Sequence, residues 1–282
     1  MLRKRIIPAS LIVLIISGLF YFDYHFQSKL GFTLLLGFVA VGSLFEFYGM
    51  YENIGVKTPK IIPSVVILWW LLLAFLNYPP KLYVLQLNSI IVFVFLLVMM
   101  IYYLFSIRSY QNIFVSVIGF VYVLVPIAGS LIIYNACGLW GLVYVIAIIK
   151  IGDSLAYFGG TWFGKHKLAP TISPNKTVEG FIIGILGGAL SGFLLLYVMN
   201  GGGLALSFKR IILVFTANFI IVMFGQMGDL LESMFKRHCQ IKDSGKWLGG
   251  LGGVLDTVDS LFLGIPVALF AMTELLKWWC IK

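Results

Sequence analysis

Residues 225–260 form a polar stretch that carries most of the side chains able to do chemistry. Helical spacing would gather them into two clusters, each with members three, four or seven residues apart. The first cluster consists of Asp229, Glu232, Ser233 and Lys236. The second consists of Asp256, Asp259 and Ser260. Clustered carboxylates repel each other unless a cation lies between them, and hard oxygen ligands suit Mg²⁺; the alternative is a solvated helix face paired with its own lysines.

Acidic residues are scarce in this chain, which contains only 11, and most lie in or beside the segments 159–177 and 225–260. Those residues are Asp153, Glu179, Asp229, Glu232, Asp243, Asp256 and Asp259. An ionised side chain at the centre of a bilayer costs at least about 3 kcal/mol, so these acids should face water, a cation or a partner. Asp153 is either a metal ligand or the neutralising partner of Lys150, one turn earlier.

Basic residues accompany the acids and favour phosphate chemistry. The formal net charge is +9, but the basic residues lie between apolar runs rather than in one stripe, so nucleic acid is not the expected partner. A nucleotide would be repelled by the acids alone. Mg²⁺ held by carboxylates, with lysines nearby, is the economical arrangement for binding its phosphates. A second cation beside Mg²⁺ is left open.

The segment 159–177 combines cations with small polar side chains. These are Lys165, His166, Lys167, Ser173, Asn175, Lys176 and Thr177. Pro170 and Pro174 exclude a helix here, and Thr177 is expected to cap the following span, with Glu179 in its first turn. A helix N-terminus attracts anions, which favours a phosphate site. Anchoring to anionic lipid headgroups is the alternative for the basic residues.

A run of glycines, Gly249, Gly250, Gly252 and Gly253, has two interpretations. Backbone N–H groups could approach a phosphate closely there. Small residues also allow helices to pack closely in membranes. No P-loop motif and no βαβ pattern supports a soluble nucleotide-binding fold.

The elements that must position these residues are membrane helices, because 61% of the chain is hydrophobic, 11% is charged and the mean hydropathy is +1.02. A membrane-spanning helix needs about 20 mostly apolar residues. The runs that meet this criterion are 6–22, 30–50, 61–77, 87–107, 111–133, 139–158, 178–199, 204–224 and 261–279. We therefore expect an all-α polytopic integral membrane protein with about nine transmembrane helices.

Orientation follows from the basic residues. With a cytoplasmic N-terminus, most Lys and Arg residues fall in segments on the cytoplasmic side, as the positive-inside rule requires. Both polar segments then lie at the cytoplasmic face, which predicts a cytoplasmic active site. We expect a single membrane domain over 1–282, with N-terminal spans in 1–138 and catalytic spans and loops in 139–282.

The polar segments together resemble the phosphatidate cytidylyltransferase family, also called CDP-diacylglycerol synthases. One part of the likeness is GDSLAYFGGTWFGKHKL followed by SPNKTVEG. The other is the family's signature, matched here by Ser233, Lys236, Arg237, Lys242, Asp243, Gly245, Gly252, Gly253, Asp256 and Asp259. The likeness covers the C-terminal half, so the first five spans are assigned by association.

The resemblance implies that the phosphate of phosphatidic acid attacks the α-phosphorus of CTP, with Mg²⁺ as cofactor, to give CDP-diacylglycerol and pyrophosphate. The implied metal ligands are Asp229, Asp256, Asp259 and Asp153. The first three are also implied as catalytic, together with Lys236, Lys242 and Asp243. The implied substrate-binding residues are Lys165, Ser173, Asn175, Lys176, Thr177, Arg237, Gly252 and Gly253.

Two positions depart from the family's usual pattern. Leu251 stands where the family typically has His, and Thr257 stands where it has Arg. Any phosphate contact from those two side chains is therefore missing in this chain.

Two other functions compete with this interpretation. A CTP-dependent kinase of a polyprenol-type lipid alcohol would use the same nucleotide but transfer its γ-phosphate. A cation transporter would place its acids in broken helices near the midplane. The resemblance further implies a bacterial inner membrane, with CTP, phosphatidic acid and membrane lipids as partners; a homodimer is left open.

Overall fold

The computed structural model describes residues 3–76, 97, 101, 110–199 and 207–279, and this part of the chain is mostly helical. Its helices are α1 (Arg3–Phe26), α2 (Leu30–Glu52), α3 (Ile61–Leu76), α4 (Tyr110–Phe163), α5 (Val178–Met199), α6 (Phe208–His238) and α7 (Val254–Trp279). A short 3₁₀ helix, Gly249–Leu251, precedes α7. The apolar runs of the sequence therefore do form helices.

Five of these helices are long and apolar enough to cross a membrane, judged by length and composition: α2, α4, α5, α6 and the part Val254–Ala271 of α7. Shorter apolar helices are Val13–Phe26 and Ile61–Leu76. The 54-residue α4 joins two helices at Gly138, whose φ of 67° is not helical. This break separates the two expected spans 111–133 and 139–158. The expected span 87–107 lies outside the described residues apart from Leu97 and Ile101, so nine spans stay a prediction.

The polar stretch 225–260 is helical at both ends, as the helical spacing of its two acidic clusters predicts. Helix α6 continues past the apolar run to His238, and α7 begins at Val254, so the connection between them is 239–253. Once a helix is formed, adding a residue adds a hydrogen bond, so α6 continues beyond its apolar part. Asp229, Asp256 and Asp259 therefore all lie on helices.

The chain is not helical throughout, because a β-hairpin connects α4 and α5. Strand β1 (Lys167–Ala169) pairs antiparallel with β2 (Ser173–Thr177), with Lys167 opposite Thr177 and Ala169 opposite Ser173. The expected absence of a helix at Pro170 and Pro174 is confirmed. The strands themselves were not predicted, because they are too short to show alternation.

The chain divides into two compact units. The first comprises Met1–Leu124 and Cys239–Thr257, and the second comprises Val125–His238 and Val258–Lys282. The single membrane domain stays a prediction beside this division. The candidate site residues are distributed between both units, and each unit is described separately below.

Glycines on α5 allow the helices of the second unit to approach closely. A Cβ at Gly184 would meet the side chains of Gln226 and Ala156, and one at Gly188 would meet Val222 and the Ile148 carbonyl. Small residues four apart are a common device for close helix contact in membranes. This packing brings α4, α5 and α6 together around the site.

Candidate active site

A cavity of about 500 Å³ opens in the second unit. Its polar lining residues are Asp153, Tyr157 and Thr161 on α4, Lys167 on β1, Asn175, Lys176 and Thr177 on β2, and Gln226 and Asp229 on α6. Its other wall includes Ala156, Gly160, Leu168 and Phe181. The volume falls in the usual range for small-molecule sites. Six residues that the sequence singled out thus line one cavity: Asp153, Lys167, Asn175, Lys176, Thr177 and Asp229.

An ion pair joins the hairpin to α6 in this cavity. Lys176 Nζ lies 2.7 Å from Asp229 Oδ2, and the two side chains are 27% and 31% exposed. Ser233, one turn along α6, donates a 3.4 Å hydrogen bond to Asp229 Oδ1. The predicted helical spacing of Asp229 and Ser233 is confirmed. Because both charged groups remain partly exposed, a ligand in the cavity can reach them.

Lys150 links two further carboxylates in the same unit. Its Nζ lies 3.5 Å from Asp153 Oδ2 and 3.8 Å from Asp259 Oδ1. It also donates a 2.8 Å hydrogen bond to Ser260 Oγ. Asp153 was predicted to be either a metal ligand or the neutralising partner of Lys150, and the structure shows the pairing with Lys150. Lys150 pairs with Asp259 as well, which the sequence did not suggest.

The three carboxylates of Asp153, Asp229 and Asp259 interact with one another electrostatically. Lys150 and Lys176 lie among them, so the formal count is three carboxylates against two ammonium groups. Like charges gathered at low dielectric are stabilised by cations. The group can therefore accept additional positive charge.

The junction of β2 and α5 is fixed by a cap. Thr177 Oγ1 accepts a 3.2 Å hydrogen bond from the Gly180 N–H, and Glu179 lies in the first turn of α5. This confirms the predicted cap. The Glu179 carboxylate accepts the backbone N–H groups of Lys165 and His166 at 3.0–3.3 Å, and His166 Nδ1 lies 2.6 Å from Glu179 Oε1. The side chain of Lys165 is exposed.

The last turns of α6 hold two predicted phosphate-binding cations. Lys236 Nζ lies 2.6 Å from Glu232 Oε2, and the Glu232 side chain is 0% exposed. Arg237 Nε donates a 3.1 Å hydrogen bond to the Ile172 carbonyl in the turn of the hairpin. For Lys236, the structure thus shows the alternative to a cation site, in which an acid on the helix pairs with a lysine of the same helix. Ser173 lies on β2, half-buried, opposite Ala169.

The first unit contains the rest of the predicted site residues. Those residues are Lys242, Asp243, Gly252, Gly253 and Asp256. Lys242 and Asp243 are exposed. The Asp256 carboxylate accepts a 2.9 Å hydrogen bond from the Gly253 N–H and bonds of 2.9 and 3.2 Å from the Ser244 N–H. Asp256 therefore fixes the connection 239–253 at the start of α7.

The glycines before α7 serve the backbone and its packing. Gly252 has a φ of 91°, a conformation that side chains rarely adopt. A Cβ at Gly253 would run into Ser244 Oγ and the Glu46 carboxylate. Thr257, the departure from the family's Arg, is exposed and donates a 3.1 Å hydrogen bond to the Gly253 carbonyl. Packing thus accounts for Gly253.

Glu46 is a residue that sequence reasoning missed. It lies in α2, is 4% exposed, and accepts hydrogen bonds from Ser244, Val254 and Leu255. A signal was present, since Glu46 is an isolated acid in an apolar run, and such residues are rarely without a role in membranes.

The carboxylates of the second unit fit Mg²⁺ in their chemistry, because they are hard oxygen donors. Within the described ranges, no three His, Cys, Asp or Glu side chains converge as a ready-made metal site. Lysine ammonium groups lie beside the carboxylates instead. A divalent ion held by these carboxylates would compete with the ammonium groups of Lys150 and Lys176 for their oxygens.

Comparisons with known proteins agree with the signature residues. The chain is 41% identical over 130 residues to the phosphatidate cytidylyltransferases of Staphylococcus haemolyticus (strain JCSC1435) and Staphylococcus aureus (strain COL). It is 42% identical over 130 residues to that of Staphylococcus saprophyticus. Each match covers 46% of this chain and 48% of the relative. The chain thus spans about half the length of the curated relatives that it matches.

The match to a family model is longer. The model of the cytidylyltransferase family matches residues 3–275, which include every candidate site residue named above and the first five predicted spans. The family assignment made from the C-terminal signature is confirmed, and it extends to the N-terminal half. The chain belongs to the cytidylyltransferase family.

Proposed function

We propose that this protein transfers the cytidylyl group of CTP to phosphatidic acid, producing CDP-diacylglycerol and pyrophosphate. The observation that carries the proposal is the cavity containing the Lys176–Asp229 ion pair, in a chain of the cytidylyltransferase family. The names of the staphylococcal relatives support phosphatidic acid as the acceptor. The cavity offers both signs of charge, which a nucleoside triphosphate and a divalent cation require together.

The reaction asks for alignment and charge neutralisation more than for a base. A phosphate oxygen of phosphatidic acid forms a bond to the α-phosphorus of CTP. The bond from that phosphorus to the oxygen bridging the α- and β-phosphates breaks, and pyrophosphate leaves with the electron pair. Because an ionised phosphomonoester is already a nucleophile, the site must chiefly hold two polyanions in line and neutralise their repulsion.

The cavity residues divide these tasks. Lys176, Asn175 and Thr177 on β2 would bind phosphate oxygens, and Asp153 and Asp229 would hold Mg²⁺. Outside the cavity lining, Asp259, which shares Lys150 with Asp153, and Asp256 are proposed as further metal ligands. The bound ion supplies positive charge to the phosphates. When a triphosphate enters, Lys176 exchanges its partner Asp229 for phosphate oxygens, which leaves the carboxylate available as a ligand. In the free enzyme, the ion pair thus neutralises the charges of Lys176 and Asp229.

Further phosphate contacts are proposed for residues outside the cavity lining. These residues are Lys165, Ser173, Lys236, Arg237, Lys242, Gly252 and Gly253. Asp243 orients one of the lysines or a water molecule on the metal. The active site faces the cytoplasm, where CTP is available, and the protein resides in a bacterial inner membrane. The distribution of basic residues supports this orientation.

One assay tests reaction, substrate and cofactor together. Purified protein is incubated with phosphatidic acid, Mg²⁺ and CTP labelled at either the α- or the γ-phosphorus, and lipid products and pyrophosphate are measured. We expect α-label in lipid, equimolar pyrophosphate and loss of both on chelation with EDTA. Label from the γ-phosphorus in lipid, with release of CDP, would instead identify a lipid kinase. Replacing phosphatidic acid by diacylglycerol serves as the acceptor control, and we expect no product from it.

A further inference from the structure

Glu46 is a buried carboxylate whose two oxygens are both engaged. Oε2 accepts a 2.9 Å hydrogen bond from Ser244 Oγ and a 2.8 Å bond from the Leu255 N–H. Oε1 accepts a 3.0 Å bond from the Val254 N–H. Val254 and Leu255 are the first two residues of α7. The first N–H groups of a helix have no partner within it, so Glu46 supplies one from α2.

The fit around this carboxylate is close. A Cβ on Gly245 or on Gly253 would overlap the Glu46 carboxylate, so both positions need a residue without a side chain. Gly42, one turn before Glu46 on α2, likewise has no room for a Cβ beside Val254. Glu46 is therefore closely enclosed by both ends of the segment 244–255.

Ser244 connects Glu46 to Asp256. Its hydroxyl donates to Glu46, while its backbone N–H donates to the Asp256 carboxylate. The Gly253 N–H donates to the same carboxylate at 2.9 Å. The atoms that orient Asp256 thus belong to the segment that Glu46 fixes. A displacement at Glu46 reaches Asp256 through one residue.

We propose that Glu46 is a positioning residue for cytidylyl transfer, acting through Ser244 on Asp256. This inference rests on the proposed function, in which Asp256 serves the metal. Groups that orient a metal ligand typically change affinity or activity 10–100-fold when they are altered. Glu46 does not touch substrate in this role; it determines where the Asp256 carboxylate points.

The chain offers a matched control in Asp23. Like Glu46, it is 4% exposed, and it accepts hydrogen bonds from one serine and two backbone N–H groups. These donors are Ser28 Oγ at 2.8 Å, Gly31 N at 2.8 Å and Phe32 N at 2.7 Å, at the start of α2. Replacing the Asp23 carboxylate therefore removes a comparable helix cap, at the start of α2 instead of α7.

The experiment compares Glu46→Gln, Asp23→Asn, Asp256→Asn and the double variant of Glu46 and Asp256, all in full-length protein. CDP-diacylglycerol formation is measured against Mg²⁺ concentration, and amide hydrogen exchange is followed in peptides covering 244–257. We expect Glu46→Gln to lower kcat at least about tenfold and raise the Mg²⁺ concentration for half-maximal rate. The double variant should be no slower than Asp256→Asn, because Glu46 affects the rate only through Asp256. Asp23→Asn should lose thermal stability but keep its Mg²⁺ dependence.

Other outcomes overturn the inference. If Glu46→Gln lowers kcat no more than Asp23→Asn does, once rates are corrected for folded protein, the carboxylate is only structural. If the rate losses of Glu46→Gln and Asp256→Asn multiply in the double variant, Glu46 does not act through Asp256, which also contradicts the inference. If the wild-type protein makes no CDP-diacylglycerol, the proposed function fails, and hydrogen exchange then decides on Glu46 separately. Faster exchange over 244–257 in Glu46→Gln, but not in Asp23→Asn, supports the positioning contact, and unchanged exchange refutes it.

Discussion

Lys176 and Asp229 meet across the second unit with 2.7 Å between Nζ and Oδ2, although they are separated by the whole of α5. The pair joins a strand residue to a helix residue at the edge of a cavity. A surface ion pair of this exposure contributes little to stability, at most about 1 kcal/mol. We therefore expect that breaking the pair changes the catalytic rate much more than the stability.

Asp229→Asn tests the carboxylate. The neutral amide keeps the shape but loses the charge that a divalent cation needs, so we expect activity to fall about 100-fold or more while the protein still folds. Formation of CDP-diacylglycerol at saturating Mg²⁺ measures the loss. The control is Glu52→Gln, which breaks the 2.6 Å pair of Glu52, at the end of α2, with Lys60, just before α3, and should leave the rate unchanged. Near-normal turnover in both Asp229→Asn and Asp256→Asn would remove the metal assignment.

Reversing the ion pair separates its two roles. In the double variant Lys176→Asp with Asp229→Lys, opposite charges again face each other, so thermal stability should return to within a few degrees of the wild type. Activity should stay at the level of the Asp229 variant, because the ammonium and carboxylate have exchanged their places relative to the phosphates. Recovery of turnover along with stability would mean that the pair is structural. Thermal stability in detergent and initial rates are both needed.

Gly184→Ala tests the packing that forms the cavity wall. The added methyl group would meet Gln226, Ala156 and the Gly152 carbonyl, and a backbone atom cannot rotate away. We expect a loss of about 1–3 kcal/mol, seen as a lower apparent melting temperature, with a fall in activity. Gly18→Ala on α1 is the matched control, since nothing lies within 4 Å of its added Cβ. That change should leave stability equal or slightly higher.

Gly245→Ala should be suppressed by a second change. The three atoms nearest to the new Cβ all belong to the Glu46 side chain, so the single variant should lose stability and activity. Shortening Glu46 to Asp withdraws the carboxylate by one methylene and makes room. We therefore expect the double variant to melt at a higher temperature than Gly245→Ala. If both changes simply add, the two residues do not contact each other as the structure shows.

The fold was predictable where local sequence decides it. Apolar runs placed most helices within a few residues, and Thr177 predicted the start of α5 because a cap is a local signal. The apolar run predicted a span ending at 224, and the helical spacing from Asp229 to Lys236 predicted a helix beyond it; the structure joins the two in one helix that ends at His238. The hairpin was missed because strands of three and five residues carry no periodic pattern.

The candidate site shows the same limit. Residues on one helix, such as Asp229 and Ser233, could be grouped by spacing. Lys150 with Asp259, and Glu46 with Ser244, are brought together only by packing, so no local pattern reveals them. The resemblance to a known family supplied site residues, but not their partners. The resemblance named Asp256 as a site residue, but only the structure shows the Ser244 and Gly253 N–H groups that orient its carboxylate.

The separation of Glu46 from its donors has a consequence for biosynthesis. Val254 follows Glu46 by 208 residues, so α2 is synthesised with its carboxylate long before α7 exists. Chains are made from the N-terminus, and a carboxylate in an apolar helix without partners is costly in a membrane. The carboxyl of Glu46 therefore lacks the two backbone donors of α7 until that helix is made and docks. A chain that stops before residue 254 would keep this buried acid without the helix end that it caps.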